Sequence, residues 1–73
     1  MTLHVTGTDL SRRERQVVHA LSHGGTNLEL ANRLGVREQT IKNLLSLIYA
    51  KLGVRNRLEL SIYAARHGLD LSE

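Results

Sequence analysis

The chain has 73 residues with no cysteine and no proline, and its formal net charge is +3 at pH 7. This length fits one small domain, and the absence of cysteine excludes disulfides, thiolate metal ligands and cysteine nucleophiles. No apolar run reaches the roughly 18 residues of a membrane span, and no basic-then-apolar signal pattern opens the chain. We therefore expect a cytoplasmic protein that does not associate with membranes.

The basic residues are concentrated in the central part of the chain. All ten Lys and Arg lie between Arg12 and Arg66, a stretch with only four acids, so this body carries a charge of 10 − 4 = +6. Such a balance favours binding to a polyanion. An ordinary solvated basic surface would explain the charge alone equally well.

The first predicted elements are an arm and a helix. Residues 1–9 show no sustained period and contain Thr, Gly and Asp, which predicts a flexible arm. Ser11 and Glu14 then have the spacing of a capping box, in which a hydroxyl and a carboxylate bond exposed backbone N–H groups. The first helix continues with the apolar stripe Val17, Val18 and Leu21, and Gly24 and Gly25 stop it.

Two further helices follow, separated by a short turn. Thr26 and Glu29 form a second capping box, and the short helix behind it ends at Gly35. A longer third helix runs from about Arg37 to Lys51. The apolar residues predicted to face the interior are Leu30, Ala31 and Leu34 in the second helix, and Ile41, Leu45, Ile48 and Leu52 in the third. The turn of about three residues predicts a helix-turn-helix over 26–51.

The fourth helix begins after Gly53. Asn56 and Glu59 have the spacing of a third capping box, and the helix runs to His67 before Gly68. Residues 70–73 form a tail. Because no segment alternates like a half-buried strand, the predicted fold is an all-α four-helix helix-turn-helix domain over 10–69, without winged elements.

The third helix carries a polar face opposite its apolar stripe. Gln39, Lys42, Asn43 and Ser46 lie on this face. Amides can bond adenine with two hydrogen bonds and lysine can reach guanine, so the face suits the major groove of duplex DNA. The alternative is an ordinary solvated helix surface.

A family resemblance covers nearly all of 10–69. The matching pieces are LSRRERQVVHAL at 10–21, GGTNLELANRLGV at 24–36, QTIKNLLSLIYAKLGVRNR at 39–57 and ELSIYAARHGL at 59–69. The chain resembles the LuxR/GerE-type DNA-binding domain of bacterial transcription regulators. Region four of sigma factors shares the opening and the helix-turn-helix, but the residues after Gly53 favour the LuxR/GerE type.

The resemblance implies a sequence-specific regulator, or its isolated effector domain, that places its third helix in the major groove of double-stranded DNA. It implies DNA contacts from Asn27, Thr40, Lys42, Asn43, Ser46, Lys51, Arg55 and Arg57, the last two in a basic loop, and the polar face of the third helix adds Gln39. It also implies a homodimer through the fourth helix, with Leu58, Ile62 and Ala65 at the contact. Glu14 is expected to act as a cap or as the partner of a loop arginine.

Several positions depart from the family pattern. Four positions where polar residues are common are leucine here, namely Leu28, Leu44, Leu47 and Leu58. Ala50 stands where Arg or Lys is frequent. Arg37 replaces the Ser or Thr that caps the third helix, a loss of about 1 kcal/mol. The leucines leave an alternative function open. In it, Leu28, Leu44, Leu47 and Leu58 belong to a protein-interaction module that contacts another regulator, RNA polymerase or an upstream regulatory domain.

No residue pattern indicates an enzyme, a cofactor or a metal site. His4, His19, His23 and His67 lack the spacing of metal ligands, although His19 and His23 are four residues apart and are expected to form a surface pair. No Ser–His–Asp order, glycine-rich phosphate loop or paired carboxylates occur.

Overall fold

A computed structural model of the chain describes residues 10–68, which form four helices and no strand. They are α1 (Arg12–Leu21), α2 (Asn27–Leu34), α3 (Glu38–Leu52) and α4 (Arg57–His67). The all-α prediction is confirmed for this range. Within it, none of the helices is both long and apolar enough to cross a membrane. The predicted arm (1–9) and tail (70–73) lie outside the described residues.

The four helices surround a single apolar core. α1 packs against each of the other three helices, and α2 packs against α3. The predicted stripes supply most of the core, which consists of Leu10, Val17, Val18, Ala20, Leu21, Leu30, Ala31, Ile41, Leu45, Ile48, Leu60 and Ala64. Leu34 and Leu52, which were expected inside, are only partly buried at its edge. The helix-turn-helix is therefore held by the packing of α2 on α3, and α1 covers both of these helices.

Two reciprocal capping boxes fix the starts of α1 and α2. The hydroxyl of Ser11 accepts the N–H of Glu14 at 3.1 Å, and the Glu14 carboxylate accepts the N–H of Ser11 at 2.8 Å. Thr26 and Glu29 make the same two bonds at 3.1 and 2.8 Å. These bonds satisfy N–H groups that have no partner within the helix. Each helix start is therefore defined by two residues that are three positions apart.

The third predicted capping box, at α4, is only half formed. Asn56 Oδ1 accepts the N–H of Glu59 at 2.9 Å, as expected. The Glu59 carboxylate, however, accepts the N–H of Arg55 at 2.7 Å instead of that of Asn56. Its other oxygen lies 3.9 Å from Arg55 Nε, so both carboxylate oxygens of Glu59 are near Arg55.

The turn between α2 and α3 is the three-residue joint that the sequence predicts. Gly35 adopts a left-handed conformation with φ of 72°, which is easily accessible only to glycine. Val36 then donates its N–H to the carbonyl of Ala31 at 3.0 Å and packs against the core. The turn thus anchors α3 directly behind α2.

The end of α1 lies earlier than the glycine pair. The helix stops at Leu21, and the hydroxyl of Ser22 donates to the carbonyl of His19 at 2.6 Å. Gly24 donates its N–H to the carbonyl of Leu21 at 2.9 Å. Gly24 and Gly25 both have positive φ and redirect the chain toward α2, so they form the turn after the helix.

Candidate nucleic-acid interface

The exposed face of α3 is the centre of the candidate interface. Ile41, Leu45 and Ile48 are at most 5% exposed and hold one side of the helix in the core. The opposite side presents exposed polar residues, namely Gln39, Lys42, Asn43 and Ser46. At 1.5 Å per residue, this face is about 10 Å long, the rise of roughly three base pairs. The helix therefore offers a rigid polar surface of the length of a short base sequence.

Two amides on this face are ordered by each other. Gln39 Nε2 donates to Asn43 Oδ1 at 3.1 Å, one helical turn further along. The bond uses neither the Oε1 acceptor of Gln39 nor the two Nδ2–H donors of Asn43, which are left for partners outside the helix. An acceptor and a donor side by side are what the major-groove edge of adenine requires.

Lys42 adds a positive charge beside these amides. Its side chain is exposed, and the two ion pairs found within residues 10–68 join other residues. Thr40 precedes it in the first turn and is half-buried. Lys42 can therefore reach a base or a phosphate without breaking an existing ion pair, whereas Thr40 has less surface to offer.

The start of α3 has no side-chain cap, as the replacement of Ser or Thr by Arg37 predicts. Arg37 adopts an extended backbone, and its side chain makes no capping hydrogen bond. Glu38 places an acid in the first turn and offsets the unfavourable position of the guanidinium relative to the helix dipole.

The start of α2 offers backbone donors to an anion. The capping box there uses the N–H groups of Thr26 and Glu29. The intervening N–H groups of Asn27 and Leu28 have no partner among these capping bonds and lie at the positive end of the helix dipole. Asn27 itself is half-buried. This is the arrangement that binds a phosphate oxygen in other helix N-termini.

Lys51 is bound to Glu14 rather than free for an outside anion. Its Nζ donates to Glu14 Oε1 at 2.8 Å, and the two side chains are 39% and 4% exposed. The pKa of Glu14 is raised by burial, but the Lys51 ammonium and the N–H and hydroxyl of Ser11 outweigh this effect, and the net pKa lies below its usual value. Glu14 is a cap, the first of the two roles expected of it, and the side chain that bonds its carboxylate is Lys51 and not a loop arginine.

The two predicted loop arginines have different surroundings. Arg55 is in the loop, its side chain is 87% exposed, and it lies beside Glu59. Arg57 is the first residue of α4, and its guanidinium donates to the carbonyl of Gly25 in the α1–α2 turn. Arg55 is thus accessible to a phosphate, while Arg57 connects two parts of the fold.

The four unusual leucines separate into two kinds. Leu44 is half-buried and packs against the core, so it widens the apolar stripe of α3. Leu28, Leu47 and Leu58 are 53%, 53% and 70% exposed. Ile62 on α4 is 47% exposed and Ala65 is also exposed, so the predicted dimer residues lie on the surface.

The expected surface pair of histidines is present. The rings of His19 and His23 meet edge to face, with centroids 5.0 Å apart. Within residues 10–68, no group of three or more His, Asp or Glu side chains is arranged to hold a metal ion.

Comparison with known proteins decides the family. Residues 8–64 match the family described as "Bacterial regulatory proteins, luxR family", also called GerE. The chain belongs to the luxR family. The luxR match includes α1, α2, α3 and most of α4, and it confirms the LuxR/GerE-type helix-turn-helix domain that the chain resembles.

Several luxR-type regulators are similar in sequence. The transcriptional regulatory protein LnrK of Bacillus subtilis is 41% identical over 63 residues, which are 86% of this chain and 29% of LnrK. The probable transcriptional regulatory protein SgaR of Hyphomicrobium methylovorum is 48% identical over 48 residues, 66% of this chain and 23% of SgaR. The DNA-binding transcriptional activator DevR/DosR of Mycobacterium tuberculosis is 38% identical over 55 residues, 75% of this chain and 25% of DevR/DosR. The chain thus spans less than a third of each of these luxR relatives.

Proposed function

We propose that this luxR-family chain binds duplex DNA in a sequence-specific manner and thereby regulates transcription. The observation that carries the proposal is the division of α3 into a buried apolar side and an exposed polar side. Ile41, Leu45 and Ile48 fix the helix, while the opposite face is free to enter a major groove. The names of LnrK and DevR/DosR, a transcriptional regulatory protein and a DNA-binding transcriptional activator, support the same function.

The polar residues divide into base-reading and phosphate-binding groups. Gln39 and Asn43 present paired amides for base edges, with Ser46 one turn further along. Lys42 and Arg55 supply positive charge, and the backbone N–H groups at Asn27 supply a further phosphate site. Thr40, Lys51 and Arg57 have smaller roles in this proposal because they are half-buried or bound within the protein.

The proposed active form is a homodimer through α4. Leu58, Ile62 and Ala65 are spaced four and three residues apart, and each is exposed. A second copy of this stripe would bury apolar side chains that are now in contact with solvent. A two-fold dimer would place two α3 helices on two half-sites of a palindromic DNA sequence in the nucleoid.

Selection from random duplexes tests this function. The 73-residue chain is used to enrich random DNA at a low and a high salt concentration. We expect a palindromic motif whose binding weakens steeply with salt, because phosphate binding releases counterions. Asn43→Ala should relax the preference at one base position of each half-site, while Arg13→Ala on the exposed side of α1 should leave the motif unchanged. Failure to enrich any motif would contradict sequence-specific binding.

A second candidate function is docking on another regulator or on RNA polymerase through exposed leucines. It is supported by Leu28 and Leu47, which expose about half of their side chains outside the proposed dimer stripe. Leu44 contributes little to such a surface because it packs against the core. Leu47→Asn should abolish binding to immobilised RNA polymerase while leaving DNA binding intact. Equal binding of the wild type and of Leu47→Asn to the immobilised RNA polymerase would contradict this function.

A further inference from the structure

A basic groove lies between α1 and α2, separate from the exposed face of α3. It has a volume of about 840 Å³, and none of its lining residues belongs to α3 or α4. Arg12 and Arg15 from α1 and Arg33 from α2 line it, and Arg12 and Arg33 are exposed. Its floor contains Ala20 and Leu34. The groove thus combines positive charge with an apolar base.

The arginines of the groove have no acidic neighbour among the residues that line it. None of the lining residues is acidic, and none of the three arginines takes part in the ion pairs seen in residues 10–68. Arg33 Nη1 donates to the carbonyl of Ala20 at 3.2 Å, which fixes this guanidinium at the groove. An arginine ordered in this way loses little conformational entropy when it binds a carboxylate.

The floor of the groove is continuous with the core. Ala20 is 4% exposed, and Leu34 is partly buried and packs against core residues. An apolar side chain placed over Leu34 would therefore extend the core outward and would itself be removed from contact with water. A ligand that fits the whole groove needs both carboxylates and an apolar face.

We propose that this groove binds an acidic amphipathic helix of a partner protein. An amphipathic helix lays its apolar residues along a groove, and arginines bind its flanking carboxylates with paired hydrogen bonds. α1 has 10 residues, about 15 Å at 1.5 Å per residue, which matches roughly three turns of a bound helix.

Two other ligand classes fit the groove less well. A small molecule is normally buried over most of its surface, whereas Arg12, Gln16 and Arg33 are all exposed. A DNA backbone would satisfy the arginines, but it has no apolar group to cover Leu34. The floor is therefore the feature that favours a protein segment over a polyanion.

Charge reversal within α1 provides a matched test. The probe is a fluorescent helical peptide of about 14 residues, with leucine on one face and glutamate on the other, roughly 21 Å long. Its control has glutamine in place of every glutamate. Arg12→Glu and Arg15→Glu alter the groove, while Arg13→Glu makes the same charge change on an exposed residue that does not line it. Circular dichroism checks that each variant of the 73-residue chain is folded.

We expect the glutamate peptide to bind the wild-type chain and Arg13→Glu with equal affinity. Arg12→Glu and Arg15→Glu should each weaken binding by about tenfold, equivalent to about 1.4 kcal/mol. In NMR titrations, the backbone amides of Gln16, Ala20 and Leu34 should shift with the peptide and not with duplex DNA.

Three results would overturn the proposal. The first is a peptide affinity weaker than about 1 mM for the wild-type chain. The second is equal weakening by all three arginine variants, which would indicate attraction by net charge alone. The third is a shift of the groove amides with duplex DNA instead of peptide, which would assign the groove to nucleic acid. The first two results leave DNA binding by α3 unaffected, and the third would add a DNA contact outside α3.

Discussion

The carboxylate of Glu14 in α1 accepts a hydrogen bond of 2.8 Å from the ammonium of Lys51, 37 residues later and near the end of α3. The same carboxylate caps α1 through the N–H of Ser11. One buried carboxylate thus accepts a backbone N–H at the start of α1 and also binds a side chain near the end of α3, the helix proposed to read DNA. The direction of α3 relative to α1 depends on this pair as well as on the apolar core.

Removing either member of the pair should destabilise the fold. Glu14→Gln keeps an acceptor oxygen but removes the negative charge that pairs with the ammonium, and Lys51→Met leaves a buried carboxylate without its cation. Hydrogen bonds to charged groups contribute about 1.5–3 kcal/mol, and exposure of Lys51 reduces this, so we expect losses of about 1–2 kcal/mol. Urea unfolding of both variants and of the double variant forms a mutant cycle. Strictly additive losses would show that the two side chains do not interact energetically.

The lowered pKa of Glu14 predicts a pH dependence. A carboxyl group whose pKa is lower in the folded state contributes stability above its usual value of 4.5, and this contribution is lost as the pH falls through the folded value. We expect the free energy of unfolding to fall as the pH decreases below about 4.5. The free energy of unfolding of Glu14→Gln should fall less steeply in this range, because this variant lacks the group that titrates. Parallel pH curves for the two proteins would contradict the assignment.

Lys42 should contribute to DNA affinity mainly through charge. Replacing it with alanine removes one cation from the exposed face of α3, and the slope of log affinity against log salt should become shallower by about one. Fluorescence anisotropy with a selected duplex at several salt concentrations measures the slope. The control is Arg13→Ala, which removes the same charge from a residue outside the proposed interface. An identical change of slope in the control would contradict direct contact by Lys42.

Ile62 should contribute to self-association and not to folding. Its side chain is 47% exposed, so Ile62→Asp should leave the unfolding curve nearly unchanged. We expect the dimer to weaken by about tenfold or more, because a buried charge replaces an apolar contact. Sedimentation equilibrium measures this change, with Ser61→Asp on the same helix as control. A wild-type chain that remains monomeric at high concentration would contradict the dimer through α4.

Gly35 should be required for its backbone conformation. Its φ of 72° costs an alanine about 1–2 kcal/mol, while an added Cβ would meet no atom within 4 Å. Gly35→Ala should therefore lower the free energy of unfolding by about this amount, and Gly35→Asn by less, because asparagine tolerates the left-handed region. Thermal and urea unfolding measure both effects. Equal losses for the two variants would indicate that contacts, not φ, determine the cost.

The helices could be predicted because their signals are local. A capping box connects residues three apart, and a helical stripe repeats every three or four residues, so Ser11 with Glu14 and Ile41 with Leu45 are recognisable without tertiary structure. The polar face of α3 follows from the same period, and even the Gln39–Asn43 bond has the expected spacing of four.

The remaining features depend on residues far apart in the chain. The partner of Lys51 is 37 positions away and that of Arg57 is 32 positions away, so no local pattern indicates either bond. The difference between half-buried Leu44 and exposed Leu47 depends on which neighbouring helix covers them. The basic groove is likewise formed only when Arg33 of α2 is brought beside α1.

The division of α3 into two residue sets has an evolutionary consequence. Ile41, Leu45 and Ile48 belong to the core, and no residue of the exposed polar face shares that role. Surface substitutions away from caps and buried contacts usually change stability by about 0.5 kcal/mol or less. The amino acids at 39, 42, 43 and 46 can therefore be exchanged with little effect on folding. A lineage can acquire new target sequences on an unchanged scaffold, and a designer can graft another reading face onto it by the same route.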